Sequence, residues 1–375
     1  MRLINTRTLE LQDFSLLAIP PYAILSYTWG DGEVSLQDMS LPSRSSKIGF
    51  EKIAKTCQLA REHSLGFAWV DTCCIDKSSS AELTESINSM WQYYMNAAVC
   101  YVSLGDLQQN THANDGLAYC RWFTRGWTLQ ELIAPKKLEF YDMSWTYRGS
   151  KLNFVQTISN ITGIPPAILQ GEKSLASFSI AERMSWAARR QTTRVEDTAY
   201  CLLGIFDVNM PLIYGESMKA FRRLQEEIIK RQNNMTIFAW NFVPSSEKQV
   251  LSLFATSPAA FIDSSHIVPF SDDFLEHSVT NMGLFMSSEC LLRIADVSRR
   301  NGDHEILRYL ILFGGKHRKL YDMPGIYLRK VRPKLFYRDG IFLLSGIGAN
   351  KVNQKKLLNI SGYHILIDPR VAWSV

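Results

Sequence analysis

The sequence predicts an α/β fold, with a parallel sheet flanked by helices, then a helical segment and a β-rich C-terminal region. Over residues 1–150, short apolar runs alternate with stretches in which apolar residues recur at helical spacing. Strands separated by helices need crossover connections, which build parallel sheets covered by helices on both faces. Beyond Thr236, apolar runs are spaced by Gly, Pro, Asn and Asp, which is typical of strands and turns.

Four apolar runs in the first third are predicted to be the strands of the parallel sheet. They are Tyr22–Tyr27, Phe67–Val70, Ala98–Val102 and Leu138–Tyr141. Helices are predicted between them where apolar residues share one face, from Phe50 to Ala60 and from Leu83 to Tyr94. A further helix is predicted from about Trp127 and is closed by Pro135.

The remainder of the chain is predicted to form two further regions. Residues 151–235 are interpreted as a helical extension, in which Ser179 caps one helix with Glu182 three positions on. The other helices of this extension are 196–206 and 217–232, and the strands predicted after it are 237–240, 307–313, 334–337 and 363–367. We therefore divide the chain into an α/β domain (1–150), a helical extension (151–235) and a β-rich region of unknown role (236–375).

Composition excludes several classes of protein. The chain has 375 residues, 46% of them apolar and 21% charged, which fits a globular protein. The net charge of +5 is spread along the chain, which disfavours a nucleic-acid partner. No apolar run reaches the ~18 residues of a membrane span, and the N-terminus lacks an apolar signal core. Seven cysteines without a C-x-x-C pair favour free thiols in the cytoplasm.

Two polar motifs receive a structural interpretation. Cys73 and Cys74 are predicted to point to opposite sides of an extended chain; neither has a histidine close in sequence, so packing is favoured over nucleophilic catalysis. No metal site is predicted, because the seven histidines show no ligand spacing. The stretch 189–197 is predicted to be a solvated ion-pair network, with Glu196 and Asp197 in the first turn of a helix.

The predicted fold indicates a site before any family is considered. Ligands of parallel α/β sheets bind at the carboxyl ends of the strands. That edge would collect residues 26–30, 71–76 and 103–106. Asp71 is a candidate there, although an aspartate after a strand can also cap a turn. Trp29 could stack on a ligand or pack in the core.

Four segments carry longer and more specific patterns. They are Pro21–Gly30 (PYAILSYTWG), Trp69–Asp76 (WVDTCCID), Arg125–Leu132 (RGWTLQEL) and Arg194–Phe206 (RVEDTAYCLLGIF). Together with Asn209–Glu216, they resemble the fungal heterokaryon-incompatibility (HET) family in order and spacing, over roughly residues 1–240. The last 135 residues carry no motif that we can name.

The resemblance implies a role in vegetative incompatibility, in which fusion of unlike fungal individuals ends in programmed cell death. Many members resemble innate-immune receptors that join a HET effector domain to a nucleotide-binding module and WD repeats. This sequence has no G-x-x-x-x-G-K-[ST] phosphate loop and no repeats. The resemblance therefore implies an external trigger, either an incompatibility partner or an NLR-type receptor.

HET domains are in turn similar to TIR domains, which implies a TIR-like, flavodoxin-like sheet. The shared features are the Ser26-Tyr27 pair, Asp71 after the second strand, and a Trp-x-x-x-Glu pattern from Trp127 to Glu131. Several TIR domains cleave NAD with that glutamate, and many complete their site by self-association. The resemblance thus implies NAD as a substrate, no required cofactor, and Glu131 as the catalytic residue.

The chemistry of that reaction suits these residue types. Breaking the bond between ribose and nicotinamide builds positive charge on the sugar, which a carboxylate such as Glu131 stabilises. Trp127 precedes Glu131 by four residues and would share its helix face, and Arg125 could bind a phosphate. Gly30 lets the backbone approach a dinucleotide closely. With Ser26, Tyr27, Trp29 and Asp71 these are the predicted binding residues.

Two other functions remain open at the sequence level. A Trp-x-x-x-Glu pattern is also common on ordinary half-buried helices, and fold alone does not decide function. The same domain could be a non-enzymatic signalling or oligomerisation adaptor. A degenerate relative that keeps the fold without activity is a third alternative, disfavoured by the intact Asp71, Trp127 and Glu131.

Overall fold

The computed structural model describes residues 1–15, 17–241, 252–267, 276–286, 291–299, 305–312, 325–343, 357–359 and 363–365. The chain divides into two compact units. The first unit comprises Met1–Leu175 and Arg190–Ser217, and the second comprises Ala176–Arg189 and Met218–Val375. No helix of the described ranges is long and apolar enough to cross a membrane.

The first unit contains a seven-stranded sheet, counted over the described residues. Its strands are β1 (Arg2–Asn5), β2 (Leu11–Asp13), β3 (Tyr22–Tyr27), β4 (Phe67–Trp69), β5 (Val99–Ser103), β6 (Leu138–Tyr141) and β7 (Tyr147–Ser150). The order across the sheet is β2-β1-β4-β3-β5-β6-β7. The inner strands β4, β3, β5 and β6 run parallel, whereas β1, β2 and β7 pair antiparallel.

The parallel strands confirm the predicted α/β class with a flavodoxin-like sheet. Taken in chain order, they lie as second, first, third and fourth, which is the start of the flavodoxin-like order. Every residue of β3 and of β5 is buried, as expected for strands covered by helices on both faces. The predicted strands match β3–β6 to within one residue at each end.

The helices of the α/β domain are α1 (Phe50–Glu62), α2 (Asp71–Cys74), α3 (Ser80–Asn96), α4 (Ala113–Gly116) and α5 (Thr128–Ile133). Of these, α1, α3 and α5 lie where helices are predicted, whereas α2 and α4 were not predicted. The apolar face of α1 buries Ile53, Cys57 and Ala60. Ser79 caps α3 by accepting a hydrogen bond from the Glu82 amide at 3.3 Å.

The prediction for the adjacent cysteines was wrong. Cys73 and Cys74 lie in the short helix α2, so they are not on opposite sides of an extended chain. The Cys73 and Cys74 amides both bond to the carbonyl of Val70, and both side chains are buried. The six described cysteines are free and buried; Cys290 lies outside the described residues.

Six further helices follow, over residues predicted to be helical. They are α6 (Val155–Thr162), α7 (Pro166–Leu169), α8 (Ile180–Ser185), α9 (Asp197–Tyr200), α10 (Leu203–Phe206) and α11 (Lys219–Arg231). Ser179 caps α8, because its hydroxyl accepts from the Glu182 amide at 3.0 Å. The single helix predicted from Glu196 to Phe206 is instead divided into α9 and α10.

The described part of the second unit contains an eight-stranded sheet, which confirms the β-rich C-terminal region. Its strands are β8 (His277–Thr280), β9 (Gly283–Met286), β10 (Leu291–Arg299), β11 (Glu305–Leu312), β12 (Gly325–Arg332), β13 (Leu335–Leu343), β14 (Leu357–Asn359) and β15 (Tyr363–Ile365). Their order is β14-β10-β11-β12-β13-β15-β9-β8, and within the described residues only the β13–β15 pair is parallel. Of the predicted strands, residues 313, 366 and 367 lie outside the described residues.

The predicted strand at Ile237–Trp240 was wrong. A 3₁₀ helix spans Met235–Phe238, and Trp240 follows it as a buried residue. The carbonyls of Phe238 and Trp240 accept from the buried Arg338 guanidinium at 3.0 and 2.7 Å. The Arg338 side chain supplies the hydrogen bonds that a neighbouring strand would otherwise provide to these carbonyls. The apolar run 237–240, which has the pattern of a strand, therefore lies outside the sheet.

Candidate functional site

The carboxyl edge of the parallel strands brings several predicted site residues together. Ser26 and Tyr27 end β3, and Asp71 starts α2 two residues after β4. β3 has β4 on one side and β5 on the other, so the strand order reverses at this point. Such a switch point opens a crevice in which α/β proteins bind ligands.

Helix α5 places Glu131 at this edge, in contact with Ser26. The Ser26 hydroxyl donates a hydrogen bond to the Glu131 carboxyl and accepts one from the Trp122 indole N–H at 2.7 Å. Ser26 is only 1% exposed, so these bonds fix its orientation. Trp122 was not predicted as a site residue, although a buried indole N–H requires a partner of this kind.

The protonation of Glu131 is set by its surroundings. Burial raises the pKa of Glu131 to about 8, and the negative charge of Asp71 adds to that effect. Hydrogen bonds with Ser26 and Tyr94 and the charge of Arg125 oppose it. A pKa of about 8 favours the protonated carboxyl at neutral pH, and a cation bound beside it would favour ionisation.

Tyr94 supports this arrangement from α3. Its hydroxyl donates to the Leu25 carbonyl on β3 at 3.0 Å, and its ring is 2% exposed. The same hydroxyl lies within hydrogen-bonding reach of Glu131. Glu131 projects from α5, and its carboxyl is contacted by Ser26 of β3 and Tyr94 of α3.

Asp71 and Trp29 form the outer part of the edge. The Trp29 indole N–H donates to Asp71 Oδ2 at 2.8 Å. Trp29 is 46% exposed, so it is not part of the hydrophobic core. Burial raises the pKa of Asp71, while the nearby charge of Lys77 and the Trp29 hydrogen bond lower it. Lys77, which was not predicted, has its ammonium 3.7 Å from the centroid of the Trp29 ring.

Tyr27 and Gly30 are organised by Glu33. The Glu33 carboxyl accepts from the Gly30 amide at 2.8 Å, lies 3.2 Å from the Tyr27 hydroxyl, and forms an ion pair with Lys52. Glu33 was also not predicted. The Gly30 amide therefore has its hydrogen-bond partner within the protein.

Arg125 lies at the edge, and its backbone is fixed by residues 190–193. The Arg190 guanidinium donates to the Arg125 carbonyl at 2.8 Å and to the Thr128 hydroxyl at 2.9 Å. The Gly126 amide donates to the Gln191 carbonyl at 2.8 Å, and the Gln191 amide donates to the Thr124 carbonyl at 2.7 Å. A Cβ on Gly126 would lie 2.5 Å from the Thr192 methyl, so only glycine allows this contact.

The prediction of a solvated ion-pair network at 189–197 was therefore wrong for Arg190 and Glu196, whereas the predicted helix start at Glu196 and Asp197 is confirmed by α9. Arg190 binds a carbonyl and a hydroxyl, and the buried Glu196 carboxylate accepts from the amides of Gly215 and Ser217 at 2.8 and 2.9 Å. Bonds to backbone amides lower the pKa of Glu196. The Arg190 guanidinium and the Glu196 carboxylate therefore bind groups within the first unit and do not form a charged surface.

Trp127 is the predicted site residue with a different partner. It precedes α5, and its indole N–H donates to Asp197, whose carboxyl also accepts from the Tyr214 hydroxyl at 3.0 Å. Burial raises the pKa of Asp197. The tryptophan that contacts Ser26 is thus Trp122, whereas Trp127 is tied to α9.

Two other features do not supply chemistry. Within the described residues, no group of three or more His, Cys, Asp or Glu side chains could hold a metal ion. A cavity of about 790 Å³ lies elsewhere in the first unit, lined by residues that include Arg2 and Arg44. Arg2 pairs with Glu82 at 2.9 Å and Arg44 binds the Met39 carbonyl, so both guanidinium groups have partners inside the protein.

Comparisons with known proteins confirm the resemblance to the HET family. Residues 22–115 match the family model "Heterokaryon incompatibility protein (HET)", and residues 219–250 match "Domain of unknown function (DUF8212)". The chain is 49% identical over 222 residues to "Vegetative incompatibility protein HET-E-1" of Podospora anserina. That match covers 56% of this chain and 16% of the relative's length. No solved structure matches the chain.

Proposed function

We propose that the chain is an effector of fungal vegetative incompatibility whose α/β domain binds NAD and releases its nicotinamide. The first half of the proposal is supported by the HET match over residues 22–115 and by the likeness to a vegetative incompatibility protein. The match covers 16% of that relative's length, so the inference of this role rests on the shared segment alone.

The observation that carries the second half is the carboxyl of the half-buried Glu131. It lies at the strand switch point, bonded to Ser26, within the influence of Asp71 and Arg125, with a pKa raised to about 8. Perturbed carboxyls in clefts are typical of active sites. A cationic ring bound beside Glu131 would favour its ionised form, so substrate itself would generate the catalytic carboxylate.

The reaction follows from that charge pairing. The bond between ribose C1′ and the nicotinamide nitrogen breaks, and its electron pair goes to the nitrogen, so neutral nicotinamide leaves. Positive charge passes to C1′ and the ring oxygen, where the Glu131 carboxylate stabilises it. Water adds to C1′ and loses a proton, which gives ADP-ribose, nicotinamide and one proton. In this proposal Arg125 binds a phosphate of the dinucleotide.

The test is nicotinamide release from NAD by the wild-type chain and by Glu131→Gln, at low and high protein concentration. Glutamine keeps the volume but cannot ionise, so we expect a loss of at least about 100-fold in kcat/KM, the scale of removing one electrostatic stabiliser. Glu85→Gln is the matched control, because Glu85 is exposed on α3. It should keep wild-type turnover.

Two results would contradict the proposal. Equal turnover by wild type and Glu131→Gln would refute the role of Glu131. No consumption of NAD at any concentration, with toxicity retained on expression, would favour the non-enzymatic adaptor in place of the enzyme.

A further inference from the structure

The outer face of Trp29 is a built aromatic surface at the edge of the candidate site. Its indole is 46% exposed, and the bond from its N–H to Asp71 Oδ2 at 2.8 Å fixes the plane of the ring. The ammonium of Lys77 lies 3.7 Å from the ring centroid. That distance is a cation–π contact, so the face already holds a positive charge.

The carboxyl of Asp71, beside this face, has one oxygen without a hydrogen-bond donor among the described residues. Asp71 Oδ1 is buried and has no hydrogen-bond partner among the described residues. A buried acceptor without a partner is costly, and in native proteins it is usually explained by a ligand or a functional role. The negative charges of Asp71 and Glu33 both act on Lys77, so this part of the edge attracts cations.

Opposing effects act on the charge of the Lys77 side chain. Burial lowers the pKa of Lys77, against the favourable charges of Asp71 and Glu33. The Lys77 residue is exposed, so a ligand can displace its ammonium from the indole face without disturbing the core. A ligand that brings its own positive charge on a flat ring would cover the indole over a larger area and let Lys77 return to solvent.

We propose that Trp29 and Asp71 form a subsite for a flat cationic ring of the pyridinium type, and that Lys77 occupies this subsite until the ligand displaces it. The inference rests on the proposed function, because the nicotinamide ring of NAD is such a cation. It adds a selectivity device, since a neutral ring gains less from the indole face and from Asp71 and cannot displace Lys77 as readily.

Binding of the N1-methylnicotinamide cation tests the inference without any turnover. Lys77→Met removes the competing charge, so the dissociation constant for the cation should fall by about 2- to 30-fold, the range set by one cation–π contact. Lys77→Arg keeps a cation over the ring and should bind the probe like the wild type. Trp29→Leu should abolish binding in either background.

Uncharged nicotinamide is the matched probe, because it keeps the ring and lacks the charge. Its affinity should be lower than that of the cation in both proteins, and it should also rise in Lys77→Met, because either ring has to displace the Lys77 ammonium from the indole face. The shift of the Trp29 indole N–H signal, assigned with Trp29→Leu, reports binding at this ring among the nine tryptophans. Circular dichroism and thermal melting check that each variant folds.

The outcomes separate the subsite from the proposed reaction. Unchanged or weaker binding of the cation by folded Lys77→Met would overturn the displacement of Lys77. Tighter binding of the cation, in a protein that releases no nicotinamide from NAD, would support the subsite and refute the cleavage. Cleavage of NAD by a protein in which the probe leaves the Trp29 signal unmoved would refute the subsite alone.

Discussion

At the scale of single residues, two glutamates of the first unit have pKa values that are shifted in opposite directions by their surroundings. Burial raises the pKa of Glu131 to about 8, whereas bonds from backbone amides lower the pKa of Glu196. Glu196 is thus adapted to hold the fold at Gly215 and Ser217. Glu131 is held in a position that disfavours its charge, which is typical of groups kept for function.

This difference predicts opposite effects on stability. The pKa of Glu131 is raised from its ordinary value of 4.5 to about 8, so the folded state holds a proton that the unfolded state loses. Stability therefore falls as pH rises between about 4.5 and 8, by at most about 1.4 kcal/mol per pH unit. Glu131→Gln does not titrate, so it should be increasingly more stable than wild type over this range.

The measurement is urea unfolding of both proteins from pH 3 to pH 8.5. Glu196→Gln is the control of opposite sign: its lowered pKa contributes stability above the ordinary value that is lost as pH falls. That variant should be destabilised at neutral pH and less so in acid. A constant difference between wild type and Glu131→Gln across the pH range would contradict the buried position of this carboxyl.

At the scale of elements, α5 is a helix of six residues that is fixed at both ends by cations. Arg190 binds the Arg125 carbonyl and the Thr128 hydroxyl at its start. Lys151, which is 4% exposed, donates to the carbonyls of Leu132 and Pro135 at 3.2 and 2.7 Å at its end. A helix this short is unstable by itself, so these contacts set the position of Glu131.

Removing the cation at the end of α5 tests that reasoning. Lys151→Met leaves two buried carbonyls without their donor, which should lower the free energy of unfolding by about 1–3 kcal/mol. The freed helix end should also lower kcat for nicotinamide release more than it changes KM, because Glu131 shifts relative to Ser26. Lys136→Met is the control, since Lys136 is exposed and its replacement should change neither quantity. Equal stability of Lys151→Met and wild type would show that α5 is held in another way.

The elements also show what the sequence could predict. Buried strands such as β3 and β5 are continuous apolar runs, so they were found, whereas β1, β2 and β7 are short and partly polar and were missed. Ser26 and Asp71 were predicted at this edge because strand ends define it, whereas Glu131 was predicted from the resemblance to TIR domains. Trp122, Glu33, Lys77 and Arg190 were missed, because their roles arise from contacts between segments that are distant in sequence or from local loop geometry that periodicity does not report.

At the scale of the whole molecule, the candidate site is larger than the family match. The HET model covers residues 22–115, which include Ser26, Trp29 and Asp71 but not Glu131. Glu131 and the stretch 190–193 that fixes the start of α5 follow later in the chain, yet belong to the same compact unit. The candidate site therefore lies within the first unit, Met1–Leu175 with Arg190–Ser217, and is not confined to the residues of the family match.

The open edge of that unit leads to a prediction about assembly. Trp29 is 46% exposed, and the first unit also exposes Val195 and Ile213 by 51% and 49%. Catalysis through a buried carboxylate is favoured where water is excluded, and a second copy laid over the edge would exclude it. We therefore expect nicotinamide release per chain to rise with protein concentration, and to rise by at least about tenfold when the chain is fused to a dimerisation helix that raises the local concentration. The same fusion carrying Glu131→Gln should stay inactive, which separates assembly from chemistry. A rate per chain that is constant over a 100-fold range of concentration, and unchanged by the fusion, would mean that one copy of the first unit is sufficient.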